Sequence, residues 1–126
     1  MTREDGMTAM PRHTFYPLVK YRDPVKAMDW LEQAFGFTPL ELHKDDDGRV
    51  VHAMMGYDTG IAMFGTGEPG GPGVYVAVDD PDAHHDRARE AGAEIFRGLS
   101  DQSYGSRDYA ARDPEGNEWY FGTYRP

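Results

Sequence analysis

The chain has five histidines, 22 aspartates and glutamates, eight tyrosines and no cysteine. Without cysteine, disulfides, thiolate zinc sites and thiol nucleophiles are all excluded. No Ser-His-Asp spacing or nucleophile elbow is present. The segment GTGEPGGPG (65–73) is rich in glycine, but it does not open a helix after a strand, so it reads as a linker and not a phosphate cradle. His13 borders a polar N-terminal stretch and reads as solvated. His84 and His85 are adjacent on an expected helix, cannot share one face, and read as surface decoration. His43 and His52 fall on neighbouring expected strands. In the run HAMM, a core-facing Ala53 and Met55 would turn His52 and Met54 to the opposite face. There an imidazole could be a base, a hydrogen-bond partner or a half-buried packer. Glu118 and Asp108 are the carboxylates placed near potential cleft walls, and Arg107 beside Asp108 reads as a structural ion pair.

Aromatic side chains carry the positive signal. Tyr16, Tyr75 and Tyr120 share one strand parity, and Met54 and Met63 join them. Flat rings and adaptable thioethers suit a planar or amphipathic organic molecule. The same rings could instead fill a collapsed cleft or a dimer seam. Trp30, Phe35, Trp119 and Phe121 are assigned to the core.

The elements that must position these residues are punctuated clearly. Asp23-Pro24 and Asp80-Pro81 each pair a capping carboxylate with a proline at the first helical position. Helices are expected near 24–35 and 81–91, each closed by glycine, Gly36 and Gly92. Ala27, Met28, Leu31, Ala34 and Phe35 form an apolar stripe on the first. Strands are expected over 15–21, FTPLELHK, RVVHAMM and IAMF, with turns at 45–48 and 58–60. After the linker the pattern restarts with VYVAV, the second helix, AEIFRGL, SYGSRDYAAR and EWYFGTY. The chain is thus an internal repeat of β-α-β-β-β units, α+β in class. Residues 1–12 read as a flexible arm and 13–126 as one domain, with module one at 13–66, the linker at 65–73 and module two at 74–124.

At 126 residues the chain can bury a single sizeable core. Its net charge of -9 opposes binding to phosphate backbones, so nucleic acid is excluded as a partner. The N-terminus lacks an apolar signal region and no run is long enough to span a membrane, so a cytoplasmic location is expected.

YRDPVKAMDWLEQAFGF in the first unit, VDDPDAHHDRAREAGAEI in the second and, above all, RDPEGNEWYF resemble the vicinal oxygen chelate superfamily. That group contains glyoxalases, bleomycin-resistance proteins and extradiol dioxygenases. The likeness covers residues 13–124. It implies two modules forming a half-open barrel around a cleft, and a homodimer. In the superfamily's metalloenzymes, ligands come from the first and last strands of each module, and those positions fall here on Tyr16, near Met63, Gly73 and Tyr120. A phenol, a thioether, a hydrogen and a second phenol are poor ligands for a divalent ion. The resemblance therefore points to a metal-independent binding protein of the bleomycin-resistance type, capturing an aromatic or amphipathic compound, with Tyr16, His52, Met54, Met63, Tyr75 and Tyr120 lining the site. An enzyme is the alternative, using a divalent metal through unexpected ligands such as His43 and His52, or His52 and Glu118 as acid and base. A ligand-sensing or partner-binding module without turnover is the third reading.

Overall fold

The computed structural model describes residues 13–126, so the expected arm at 1–12 lies outside the described residues. The elements run β1 (Leu18–Tyr21), α1 (Pro24–Phe35), β2 (Thr38–Lys44), β3 (Val50–Tyr57), β4 (Gly60–Thr66), then β5 (Val74–Ala77), α2 (Pro81–Glu90), β6 (Glu94–Asp101), β7 (Arg107–Arg112) and β8 (Glu118–Gly122). They form two four-stranded mixed sheets, ordered β1-β4-β3-β2 and β5-β8-β7-β6, with no closed barrel. In each, the opening strand is parallel to the last strand of its module and the other pairs are antiparallel.

Local chemistry explains both helices. The Asp23 carboxylate accepts the Lys26 N–H at 3.2 Å, Pro24 stands in the first turn, and Gly36 closes α1 at φ 79°. Asp80 accepts from the Ala83 N–H at 3.1 Å, and α2 ends at a cap on Ala91, one residue ahead of the left-handed Gly92. The expected stripe of α1 is buried. By contrast α2 is polar nearly all round, burying only Pro81, His84 and Ala88.

That polarity corrects the reading of His84 as a surface residue. It is buried, with Nε2–H donating to the Phe35 carbonyl at 2.9 Å and Nδ1 accepting from the Tyr109 hydroxyl at 2.6 Å. An imidazole whose two nitrogens are both satisfied can occupy a core position in place of an apolar side chain. Burial holds its pKa below the usual histidine value.

Two strands, β1 and β7, start several residues later than expected. Pro17 has no N–H and pairs only through its carbonyl, which accepts from the Met63 N–H at 2.9 Å; Phe15 ahead of it is 92% exposed. Residues 103–106 form a turn, closed by the Gln102 N–H to Ser106 carbonyl bond at 2.7 Å with Gly105 at φ 95°, so β7 begins only at Arg107.

The modules share one core. Phe35 packs against Phe37, Trp119 and Phe121 at ring-centroid distances of 4.7–5.9 Å. The RDPEGNEWYF segment supplies the joint. Tyr21 donates to the Asp113 carboxylate at 2.5 Å, and the Trp119 indole N–H donates to the same oxygen at 3.0 Å. Glu115 accepts the Arg22 and Asp23 N–H groups at 2.7 and 2.9 Å, and the Asn117 amide donates to the Lys20 carbonyl at 2.9 Å. Burial raises the pKa of Asp113, and burial beside that carboxylate raises the pKa of Tyr21. From module one, Trp30 donates to the Ala91 carbonyl at 2.8 Å; from module two, Arg87 donates to the carbonyls of Gln33 and Glu32 at 2.8 and 3.1 Å.

Candidate ligand-binding site

Because side chains alternate along a strand, each sheet turns one face to the shared core and the other away from it. Val19, Ala53, Met55 and Phe64 of the first sheet, and Tyr109, Ala111, Trp119 and Phe121 of the second, belong to a single buried cluster. The outward faces therefore look away from that cluster, and they carry the residues singled out in the sequence.

On the second sheet, Tyr75 and Tyr120 are register partners on adjacent strands. The Tyr120 ring meets Phe96 edge-on at 5.9 Å, and the Arg97 guanidinium lies 5.5 Å from its centroid. Its hydroxyl donates to Glu118 at 2.8 Å, and this bond is the leading cause of a raised Tyr120 pKa, which keeps the phenol protonated. Glu118 is also held by Arg112 at 3.2 Å, while the Arg112 guanidinium lies 4.1 Å from the Phe96 centroid and reaches Glu94 at 3.0 Å. Tyr75 is 41% exposed and donates to the Tyr124 carbonyl at 2.7 Å.

Two glycines make room for these rings. A Cβ on Gly73, which has φ +96°, would stand 2.9 Å from Cε1 of Tyr120. A Cβ on Gly122 would stand 2.7 Å from Cβ of Asp108 and 2.9 Å from the Tyr75 hydroxyl. Asp108 itself is buried, accepting from Gln102 at 3.0 Å and paired with Arg97 at 3.3 Å. The expected Arg107–Asp108 pair does not form. Neighbours on a strand point to opposite sides, and Arg107 bonds Asp82 at 2.7 Å and Asp101 at 3.2 Å.

On the first sheet, Met54 and Met63 are register partners, and Met63 is also opposite Leu18. His52 stacks on His43 with centroids 5.8 Å apart, and His43 donates to Glu41 at 3.0 Å. Tyr16 precedes β1, is 40% exposed, and donates to the His13 carbonyl at 3.1 Å. The six candidates thus fall into two sets, Tyr75 with Tyr120 on one sheet and His52, Met54 and Met63 on the other, with Tyr16 just ahead of β1. Tyr75 alone of the six also borders the cavity between the modules. His52 and Glu118 stand on different sheets, and Glu118 already engages Tyr120 and Arg112.

The four positions that the resemblance assigns to metal ligands divide two by two. Met63 is on the first sheet with Tyr16 ahead of it, and Gly73 touches Tyr120 on the second. Their donors do not fit a divalent ion: the Tyr120 phenol is a weak neutral donor already bonded to Glu118, Gly73 has no side chain, and a thioether is a soft ligand. Among the described residues, no three histidine, aspartate or glutamate side chains gather in a metal-holding group.

The sequence missed Phe96, Arg97 and Arg112, which build the surroundings of Tyr120. The register irregularity between Ile95 and Arg97 sets Arg97 opposite Ala110, on the face of Tyr120, where simple alternation from the core-packed Ile95 turns it the other way.

The family model described as the glyoxalase/bleomycin resistance protein/dioxygenase superfamily matches residues 16–121. An uncharacterized protein of Mycobacterium tuberculosis is 31% identical over 133 residues, spanning 94% of this chain and 78% of its own. Among solved structures, TioX from Micromonospora sp. ML1 is 37% identical with a TM-score of 0.73, covering 87% of this chain and 94% of its own. A glyoxalase-related enzyme from Clostridium phytofermentans, 19% identical, shares the fold at a TM-score of 0.75 over 91% of this chain and 97% of its own.

Proposed function

The chain belongs to the glyoxalase/bleomycin resistance protein/dioxygenase superfamily, and from that premise we propose that it binds and sequesters a small aromatic or amphipathic molecule without a metal ion. The observation that carries this reading is the setting of Tyr120. A position that bears a metal ligand in related metalloenzymes holds a protonated phenol, flanked by Phe96 and by a guanidinium over its ring. Such a surface stacks planar molecules and offers polar groups at the edge of the stack. The methionine and imidazole face of the first sheet is the complementary wall.

Both walls point away from the shared core, so one chain cannot close them over a ligand. A second copy related by a two-fold axis brings the first sheet of one protomer opposite the second sheet of its partner. We therefore take the working form to be a homodimer with composite clefts, acting in the cytoplasm, in the manner of the bleomycin-resistance members of the superfamily. Neither nucleic acid nor a membrane is a partner in this reading; no helix among the described residues is long and apolar enough to cross a membrane.

A thermal-shift screen of planar aromatic compounds, run with and without EDTA, tests the reading. Stabilising compounds should keep their effect in EDTA and lose most of it in Tyr120→Ala. Hits that depend on an added divalent ion would favour the metal-dependent enzyme instead.

A further inference from the structure

Two guanidinium groups share the outward face of the second sheet, and they are not equivalent. Arg112 is forked between Glu94 at 3.0 Å and Glu118 at 3.2 Å, and it lies over the Phe96 ring. Arg97 has one acceptor among the described residues, Asp108, reached from Nη2 alone at 3.3 Å. Its side chain is 49% exposed, so Nη1 and Nε remain open donors at the surface.

The strand that carries Arg97 is shaped around it. Register shifts flank it on both sides, between Ile95 and Arg97 and between Arg97 and Ser100. Such irregularities re-aim a side chain, and here they set Arg97 opposite Ala110, which is itself the register partner of Tyr120. Ala110 puts only a methyl group between the two, and the guanidinium reaches within 5.5 Å of the Tyr120 ring centroid. The tether is fixed from below, because the Asp108 side chain is buried and also accepts from Gln102 at 3.0 Å. With Nη2 tied down, the open N–H groups are held beside the ring on which a planar molecule would stack. Against the two guanidinium groups stand three carboxylates, Asp108, Glu94 and Glu118. An anionic substituent on the ligand would therefore find no unneutralised cation, whereas a neutral carbonyl oxygen can accept a charge-assisted hydrogen bond from Arg97.

Resting on the reading of the Tyr120 face as a ligand wall, we propose that Arg97 is its specificity-determining residue, positioned by Asp108, and that the molecule captured is a neutral planar aromatic compound with a carbonyl group beside its ring. The ring stacks at Tyr120 and the carbonyl oxygen accepts from Arg97. A bare ring forgoes that bond, and a ring bearing a carboxylate sets it against the excess of carboxylates already on the face.

Isothermal titration calorimetry of the full chain tests this with three probes on one ring: indole, indole-3-carboxamide and indole-3-carboxylate. The carboxamide should bind about fivefold or more tighter than indole, and the carboxylate no tighter than indole. Arg97→Gln keeps a donor for Asp108 but is too short to serve the ligand as well, so it should bring the carboxamide to within about twofold of indole. Arg112→Gln should weaken both compounds and keep their ratio. A guanidinium that only neutralises Asp108 would change both affinities together, so a ratio that survives Arg97→Gln overturns the proposal; if that variant fails to fold, the order of the three probes on the parent chain decides. Equal binding of indole and its carboxamide, or tightest binding of the carboxylate, overturns the assignment of Arg97 and leaves metal-free capture standing. If none of the three binds, both fall.

Discussion

Tyr120 joins the two halves of the functional account, because its ring and its hydroxyl serve different ends. The ring meets Phe96 edge-on and lies beneath the Arg97 guanidinium, and the hydroxyl is spent on Glu118. Removing the ring in Tyr120→Ala should weaken ligand binding by about 1 kcal/mol or more, on the scale of aromatic pairs. Tyr120→Phe should retain most of the affinity, and titration of both variants against one compound checks the split. His84 sets a second expectation. Its folded pKa lies below the unfolded value, so the folded chain resists protonation more than the unfolded chain does. Stability is then complete above the unfolded pKa of about 6.5 and declines as pH falls through that value toward the lower folded one. Chemical denaturation between neutral and mildly acidic pH should show this decline, and His84→Gln, which keeps a donor and an acceptor, should flatten it. Sequence reasoning placed Tyr120 and Tyr75 by strand parity, but it put His84 on the surface. A polar helix gives no apolar stripe from which a buried imidazole can be recognised, and the partners of His84 lie 25 and 49 residues away.

Elements were legible where local chemistry dictates them and illegible where tertiary contacts do. The capped helices and the Asp-Gly turns announce themselves, because the side chains that fix them are within a few residues. The start of β7 depends on a turn closed by Ser106, and the face shown by β6 depends on irregular pairing with β7, neither of which has a local signature. Gly122 tests the packing that follows. Because a Cβ there would stand within 3 Å of both Asp108 and the Tyr75 hydroxyl, Gly122→Ala should destabilise the fold by about 1–3 kcal/mol and shift Tyr75. Thermal melting with the ligand present and absent separates the two effects. The turn after β7 has another task. In Asp113→Ala, the Tyr21 hydroxyl and the Trp119 N–H both lose their acceptor inside the core. Each stranded group costs about 1–3 kcal/mol, so urea unfolding should report a loss of several kcal/mol. The motif that most resembles the superfamily thus ties the modules together through Asp113, Glu115 and Asn117, while its Arg112, Glu118 and Tyr120 meet on the outward face.

At the scale of the whole molecule, the duplicated order of elements explains why one chain carries two outward sheet faces. Both sheets give one face to a common core, and the pattern leaves each with an aromatic or methionine-rich face directed outward. The repeat itself was readable from Asp-Pro and glycine spacing, and so was the strand face taken by Met54, Met63, Tyr75 and Tyr120. Their separation onto two sheets was not, since the direction in which a sheet faces is set by how the modules pack through Phe35, Trp119 and Asp113. The central claim is metal-free capture of a planar molecule on the Tyr120 face, and it is tested most directly by calorimetric titration of one stabilising aromatic compound in excess EDTA. Binding should be unchanged by the chelator and weakened by about fivefold or more in Tyr120→Ala. Binding that vanishes in EDTA and returns with a divalent ion, or that survives the loss of the Tyr120 ring, would contradict it.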